Sequence, residues 1–208
     1  MDAQKKSLSA TEQDAAEREA WREEVAVLDP ARFVFLDECG THLAHTRAYG
    51  RAPRGARAVG RVPRNRGQVT TLIASLTPHG IGPALTLQGG TSKAVFLAYL
   101  REVLAPTLEP GQIVILDNLG AHRPTLVRQI VEARGAQLLY LPGYSPDFNP
   151  IELAFGTLKA ALRRSEARIR DALDAAIAAA LAAITPSAVR GFFAHCGYHL
   201  QDQPLRRT

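Results

Sequence analysis

Cysteine is scarce in this 208-residue chain: Cys39 and Cys196 are the only two, far apart and outside any Cys-x-x-Cys spacing. That excludes a disulfide framework, gives no support to a zinc site, and suits a reducing cytoplasm. Long apolar runs are missing too. The opening residues, MDAQKKSLSATEQDAAEREAWREE, lack the apolar centre a signal peptide needs, and no later stretch is long and uninterrupted enough for a membrane span. No membrane partner is expected. The third shortage is local: between Glu38 and Glu102 there is not one acidic residue.

That acid-free interval holds Arg47, Arg51, Arg54, Arg57, Arg61, Arg64, Arg66, Lys93 and Arg101. The arginines from 47 to 66 are spread among Gly, Pro and Ala, a composition that predicts a flexible positive loop able to follow a polyanion's phosphates. The plain alternative is a solvated surface loop. Net charge is +5 and the isoelectric point about 9.6, which favours a nucleic-acid partner without establishing one. Hydrophobic content of 46% and charged content of 22% are ordinary for a globular chain that buries a core.

Residues 9–28 are polar and alanine-rich, with Trp21, Val25 and Leu28 at helical spacing, so residues 1–30 read as a helical lead-in stopped by Pro30. Residues 31–208 form the expected main domain. Within it, residues 32–38 (RFVFLDE) are apolar on both faces up to Asp37, which predicts a central strand covered on both sides. Runs 68–77 and 82–88, divided by Pro78 and Gly80, read as a hairpin. A helix capped by Thr91 or Ser92 follows, then strand 113–116 (IVIL), helix 124–134 closed by Gly135, and strand 137–141 (QLLYL). The order implies an α/β fold whose mixed sheet starts antiparallel and continues parallel, flanked by helices. From residue 149 the chain reads as nearly all helical. Leu173, Ile177, Leu181 and Ile184 form the apolar stripe of one late helix.

Three acids stand where chemistry could use them. Asp37 interrupts an apolar strand, Asp117 ends one and Glu152 opens a helix, so they could converge at the end of the sheet. Each also has a structural reading. Asp37 could be a buried acid satisfied by an arginine, and Asp117 with Asn118 and Gly120 could be turn chemistry. Glu152 could complete a capping box, because Asn149 reads as an N-cap and Pro150 as the first helical residue. On the same helix Ile151, Phe155, Leu158 and Leu162 form the apolar stripe, while Glu152, Gly156, Lys159 and Arg163 share the adjacent face. Glu38 falls on the strand face opposite Asp37, and Asp147 reads as a loop organiser.

Taken together, LDE at Asp37, LDN at Asp117 and YSPDFNPIE up to Glu152 resemble the DDE transposases of bacterial insertion sequences in the mariner superfamily. Thirty-four residues lie between Asp117 and Glu152, the interval that superfamily uses. Arg51-Ala52-Pro53-Arg54-Gly55 and Phe193-Ala194-His195-Cys196-Gly197-Tyr198 resemble family segments as well, and the likeness runs from about Asp29 to Tyr198.

The resemblance implies an RNase H-like fold in which Asp37, Asp117 and Glu152 hold two Mg²⁺ (or Mn²⁺) ions. Asp37 would bridge them, and the site would cut DNA at transposon ends and join the freed 3′ hydroxyl to target DNA, usually at a TA dinucleotide. Asn118 and His122 match the DN-x-x-x-H pattern and would shape that pocket; His122 also reads as a surface residue at a helix start. Arg47 to Arg66, with Lys159 and Arg163, would contact DNA, a track that Arg164, Arg168 and Arg170 could extend. A homodimer or larger assembly on DNA is implied. Relatives carry helix-turn-helix modules upstream, and about thirty residues before Asp29 are too few for one, so a split reading frame supplying that module as a separate subunit, or a truncated remnant, is expected. The alternatives are a nuclease that cuts without joining, and a non-catalytic DNA-binding remnant or partner subunit.

Overall fold

The structure, a computed structural model, describes residues 10–117 and 125–201. Five strands form one mixed sheet: β1 (Phe33–Thr41), β2 (Thr70–Thr77), β3 (Gly80–Gln88), β4 (Ile113–Leu116) and β5 (Gln137–Tyr140), in the spatial order β3-β2-β1-β4-β5. The hairpin β2–β3 and the pair β1–β2 are antiparallel, while β1–β4 and β4–β5 are parallel. This is the antiparallel start and parallel continuation expected from the strand pattern.

Alternation along the strands feeds two cores. Phe33, Phe35 and Cys39 on β1 and Ile113 and Ile115 on β4 face one side, where they pack with α1 (Ala15–Ala26), α4 (Pro150–Ser165), α5 (Arg170–Ala182) and α6 (Pro186–His195). Val34, Leu36, Val114 and Leu116 face the other side, against α2 (Lys93–Tyr99), the π turn Leu100–Leu104 that continues it, and α3 (Thr125–Glu132). A strand covered on both faces has no polar side to show, which is why β1 reads as a continuous apolar run.

Most helix ends fall near their sequence signals. Ser92 caps α2 by accepting from the Val95 N–H, and Ile151, Phe155, Leu158 and Leu162 are all buried on α4. Of the α5 stripe, Leu173 and Ile177 are buried within the helix, Ile184 just beyond it, and Leu181 only in part. The lead-in helix starts later than its composition suggests. Asp14 caps it, accepting from the Ala16 and Glu17 amides, and α1 begins at Ala15. Its Trp21 is buried in the same core as α4 and α6.

Helix α6 ends in a Schellman turn. The Gly197 N–H reaches the Ala194 carbonyl and the Tyr198 N–H the Phe193 carbonyl, with Gly197 at φ 89°, a conformation glycine adopts without penalty. The turn returns Tyr198 to the core, where it packs on Phe33, Phe35 and Phe193. No single helix among the described residues is long and apolar enough to cross a membrane.

Candidate active site

Strand register brings the first two acids together. Leu36 pairs with Leu116 across the parallel strands β1 and β4, so Asp37, midway along β1, and Asp117, just past the end of β4, are neighbours on adjacent segments, roughly 5 Å apart in backbone spacing. Both continue the parity of the core face on which α4 lies: Asp37 follows Phe33 and Phe35, and Asp117 follows Ile113 and Ile115. Glu152 is in the first turn of α4, exposed, on the helix flank beside its buried stripe. All three line a cavity of about 360 Å³ with Asn149, Leu141 and the loop 142–146. Glu38 has the parity of Val34 and Leu36 and does not line it. Asn118 and His122 lie outside the described residues.

The Asp37 carboxylate is held at both oxygens. The Glu38 N–H donates to Oδ1 at 2.7 Å and the Asn149 carboxamide donates from Nδ2 to Oδ2 at 2.8 Å. This corrects the capping-box expectation. Asn149 occupies the N-cap position of α4, but its side chain makes no cap hydrogen bond; it turns into the cavity, and only its backbone carbonyl serves the helix, accepting from the Glu152 N–H. Sequence reasoning missed this role, because asparagine before proline at a helix start is already explained by capping preference.

The loop between β5 and α4 is pinned from a distant segment. Arg18 on α1 forks onto Asp147, 3.0 Å to Oδ1 and 2.6 Å to Oδ2, and reaches Ser145 Oγ at 2.7 Å, while its guanidinium lies 4.2 Å from the Phe148 ring centroid. The Asp147 carboxyl is held below its usual range, first by the Arg18 hydrogen bonds. Gln13 donates to the Tyr144 carbonyl, and the chain of donors Trp21 Nε1 to Tyr198 Oη to the Phe148 carbonyl closes the back of the loop.

Toward the middle of α4 the surroundings become cationic. Burial pushes the Cys39 thiol up, opposed by the Lys159 ammonium and reinforced by Glu152 and Asp37, so these four groups share one neighbourhood. Further on, His42 and His45 stack with ring centroids 4.2 Å apart. The His45 pKa falls to about 4 through burial, then through His42, Arg163, Lys159 and Arg168.

The seven arginines from Arg47 to Arg66 are all exposed on an irregular segment with no helix or strand, and Arg163 is exposed on α4. Not every cation of the expected extension is available. Arg168 donates to the Leu43 and His45 carbonyls and Arg170 pairs with Asp174 at 2.6 Å, so both hold the fold together. Glu166, in the left-handed conformation at the end of α4, accepts from Thr46 and ties the root of the arginine segment down.

The donor set is hard: carboxylate and carboxamide oxygens with one buried oxygen, Asn149 Oδ1, that has no partner among the described residues. Such oxygens suit a small divalent cation. Among the described residues no three His, Cys, Asp or Glu side chains cluster tightly enough to hold an ion as they stand. The three acids line the wall of one cavity.

A family model described as DDE superfamily endonuclease matches residues 32–174. Among solved structures, the Mos1 strand transfer complex is similar at TM-score 0.70 and 19% identity, over 95% of this chain and 63% of that chain. The Mos1 mariner paired end complex with Mn follows at TM-score 0.68 and 18% identity, over 95% and 64%. The Mos1 transposase catalytic domain with raltegravir and Mg matches at TM-score 0.61 and 16% identity, over 88% and 89%. The chain thus spans less than two thirds of the Mos1 chains in the first two complexes. At these identities the likeness is one of fold, the RNase H-like mixed sheet with its flanking helices. No curated protein matches the sequence.

Proposed function

Since the chain belongs to the DDE superfamily endonucleases, we propose that Asp37, Asp117 and Glu152 are its catalytic acids and that it is a DNA transposase, cutting at transposon ends and joining the freed 3′ ends to target DNA. The observation that supports this reading is that acids from three separate segments line one cavity, where the middle of β1 meets the end of β4. In the proposed site Asp37, Asp117 and Glu152 would together hold two divalent cations, Mg²⁺ or Mn²⁺, which would supply Lewis acidity to the attacking and departing oxygens of an in-line displacement. The protein's own part is to aim the acids, with the Asp37 carboxylate already fixed by two hydrogen bonds.

The remaining assignments are proposals of the same reading. Asn118 and His122 shape the pocket; Arg47, Arg51, Arg54, Arg57, Arg61, Arg64 and Arg66, with Lys159 and Arg163, contact DNA phosphates. Residues 1–30 are a lead-in to a catalytic domain spanning 31–208, the working assembly on DNA is a dimer or larger, an upstream helix-turn-helix subunit reads the ends, and the compartment is the cytoplasm. The Mos1 chains with which this fold agrees are described as strand transfer and paired end complexes, which supports DNA and a multi-chain assembly. A non-catalytic remnant is not favoured, because three acids facing one cavity repel polyanionic DNA unless cations are bound.

The test uses purified protein, DNA bearing the element's ends, and Mg²⁺ or Mn²⁺. Cut and joined products are expected, while cut ends that are never joined would assign a nuclease. Asp117→Ala and Glu152→Gln should each lower cleavage by at least a thousandfold, about 4 kcal/mol of transition-state stabilisation. Full activity in either variant contradicts the assignment.

A further inference from the structure

We infer that Asn149 is a positioning residue of this site: its carboxamide fixes the Asp37 carboxylate by donating from Nδ2, and presents Oδ1 as an acceptor toward the hydrated cation or its water. The inference rests on the three-acid reading above and adds a fourth side chain to it. Asn149 is 3% exposed, lines the same cavity as the acids, and forgoes the cap hydrogen bond that its position offers. A helix N-terminus left without its side-chain cap is destabilised, so the inward rotamer is held by something worth at least as much.

The amide orientation follows from the chemistry of its neighbour. Turned the other way, the carboxamide oxygen would face the Asp37 Oδ2, two acceptors at hydrogen-bond distance with no proton between them. With Nδ2 on Asp37, Oδ1 is the atom left over. It is buried and has no donor among the described residues, and a buried acceptor without a donor is destabilising. A cation, or a water bound to one, is the donor class that a cavity walled by Asp37, Asp117 and Glu152 would draw in. The second bond on Asp37, from the Glu38 N–H, comes from its own strand and is present whatever occupies position 149. Asn149 is therefore the replaceable half of the clamp.

The experiment measures Mn²⁺ binding by calorimetry and by electron paramagnetic resonance on the full chain, beside Mn²⁺-activated cleavage. Asn149→Leu keeps the volume and removes the donor; Asn149→Asp keeps the shape and sets a charge against Asp37. Outer partners of metal ligands are typically worth about 10–100-fold in affinity. Both variants are expected to weaken Mn²⁺ binding and raise half-activating Mn²⁺ by that factor, with an altered resonance spectrum and a melting temperature near the parent's. A structural role alone would lower melting temperature and maximal rate together and leave half-activation unmoved.

Parent-like Mn²⁺ affinity in a folded variant overturns the inference; if Asn149→Leu does not fold, Asn149→Asp decides. Asp117→Ala separates the two readings. If it loses Mn²⁺ and the Asn149 variants do not, only the role of Asn149 falls. If the parent protein binds no Mn²⁺, or Asp117→Ala binds it unchanged, both readings fall.

Discussion

A buried imidazole ringed by cations resists protonation, and His45 is such a group. It is 9% exposed and stacks on His42, with Arg163, Lys159 and Arg168 near enough to join burial in lowering its pKa to about 4. A free histidine takes its proton near pH 6.5. The folded-state value is depressed, so between those two values the unfolded chain binds the proton and the folded chain does not. The stability contribution is complete above about pH 6.5 and is lost as pH falls toward 4, by an amount on the order of 3 kcal/mol at the acid end. Chemical unfolding at fixed ionic strength from pH 7.5 to 4.5 should show this loss, and His45→Gln should flatten it. Parallel loss in both proteins would exclude His45 as its source. The Asp147 carboxyl, held low by Arg18, acts in a different window: its contribution is constant above the ordinary carboxylate range and is lost only as pH falls below it. Neither contact was legible in the sequence. Asp147 reads as a loop residue, but Arg18 lies far back along the chain, and no local pattern links them.

Helix α1 is more than a leader, because its Arg18, Gln13 just before it, and Trp21 hold the loop that delivers Asn149 and Glu152. Arg18→Met removes the fork on Asp147 and the cation over Phe148 while retaining an apolar stem. With Asp147 half exposed, solvent screening limits the stability cost to about 1–2 kcal/mol. The expected signature is local: faster amide hydrogen exchange across residues 142–149 and slower cleavage, with the exchange of β1 and β4 unchanged. Uniform acceleration across the sheet would show that Arg18 acts on global stability instead. The elements themselves were well marked in the sequence. Phe33 to Leu36 announce a strand covered on both faces, Pro78 and Gly80 the hairpin, and Asn149-Pro150 the start of α4. What the pattern could not carry is side-chain direction. The same asparagine that caps a helix also serves to hold a carboxylate, and only the rotamer separates the two roles.

For the molecule as a whole, charge is distributed by segment: an acid-free, arginine-rich stretch lies exposed, and a separate cavity is walled by acids. If those arginines neutralise phosphates, each adds about 0.9 to the slope of log affinity against log salt. Replacing Arg54, Arg57 and Arg61 with glutamine should therefore lower the slope by roughly 2 to 3 and weaken binding to any DNA sequence about equally. An unchanged slope would remove the segment from the interface. Its exposure was legible from composition, whereas the internal use of Arg168 was not, since a guanidinium on a backbone carbonyl leaves no trace in spacing. Trp21, near one end of the described chain, meets Tyr198, near the other, at the carbonyl of Phe148. Tension that parts Trp21 from Tyr198 would load this joint, and with it the Phe148 carbonyl in the loop that leads into α4.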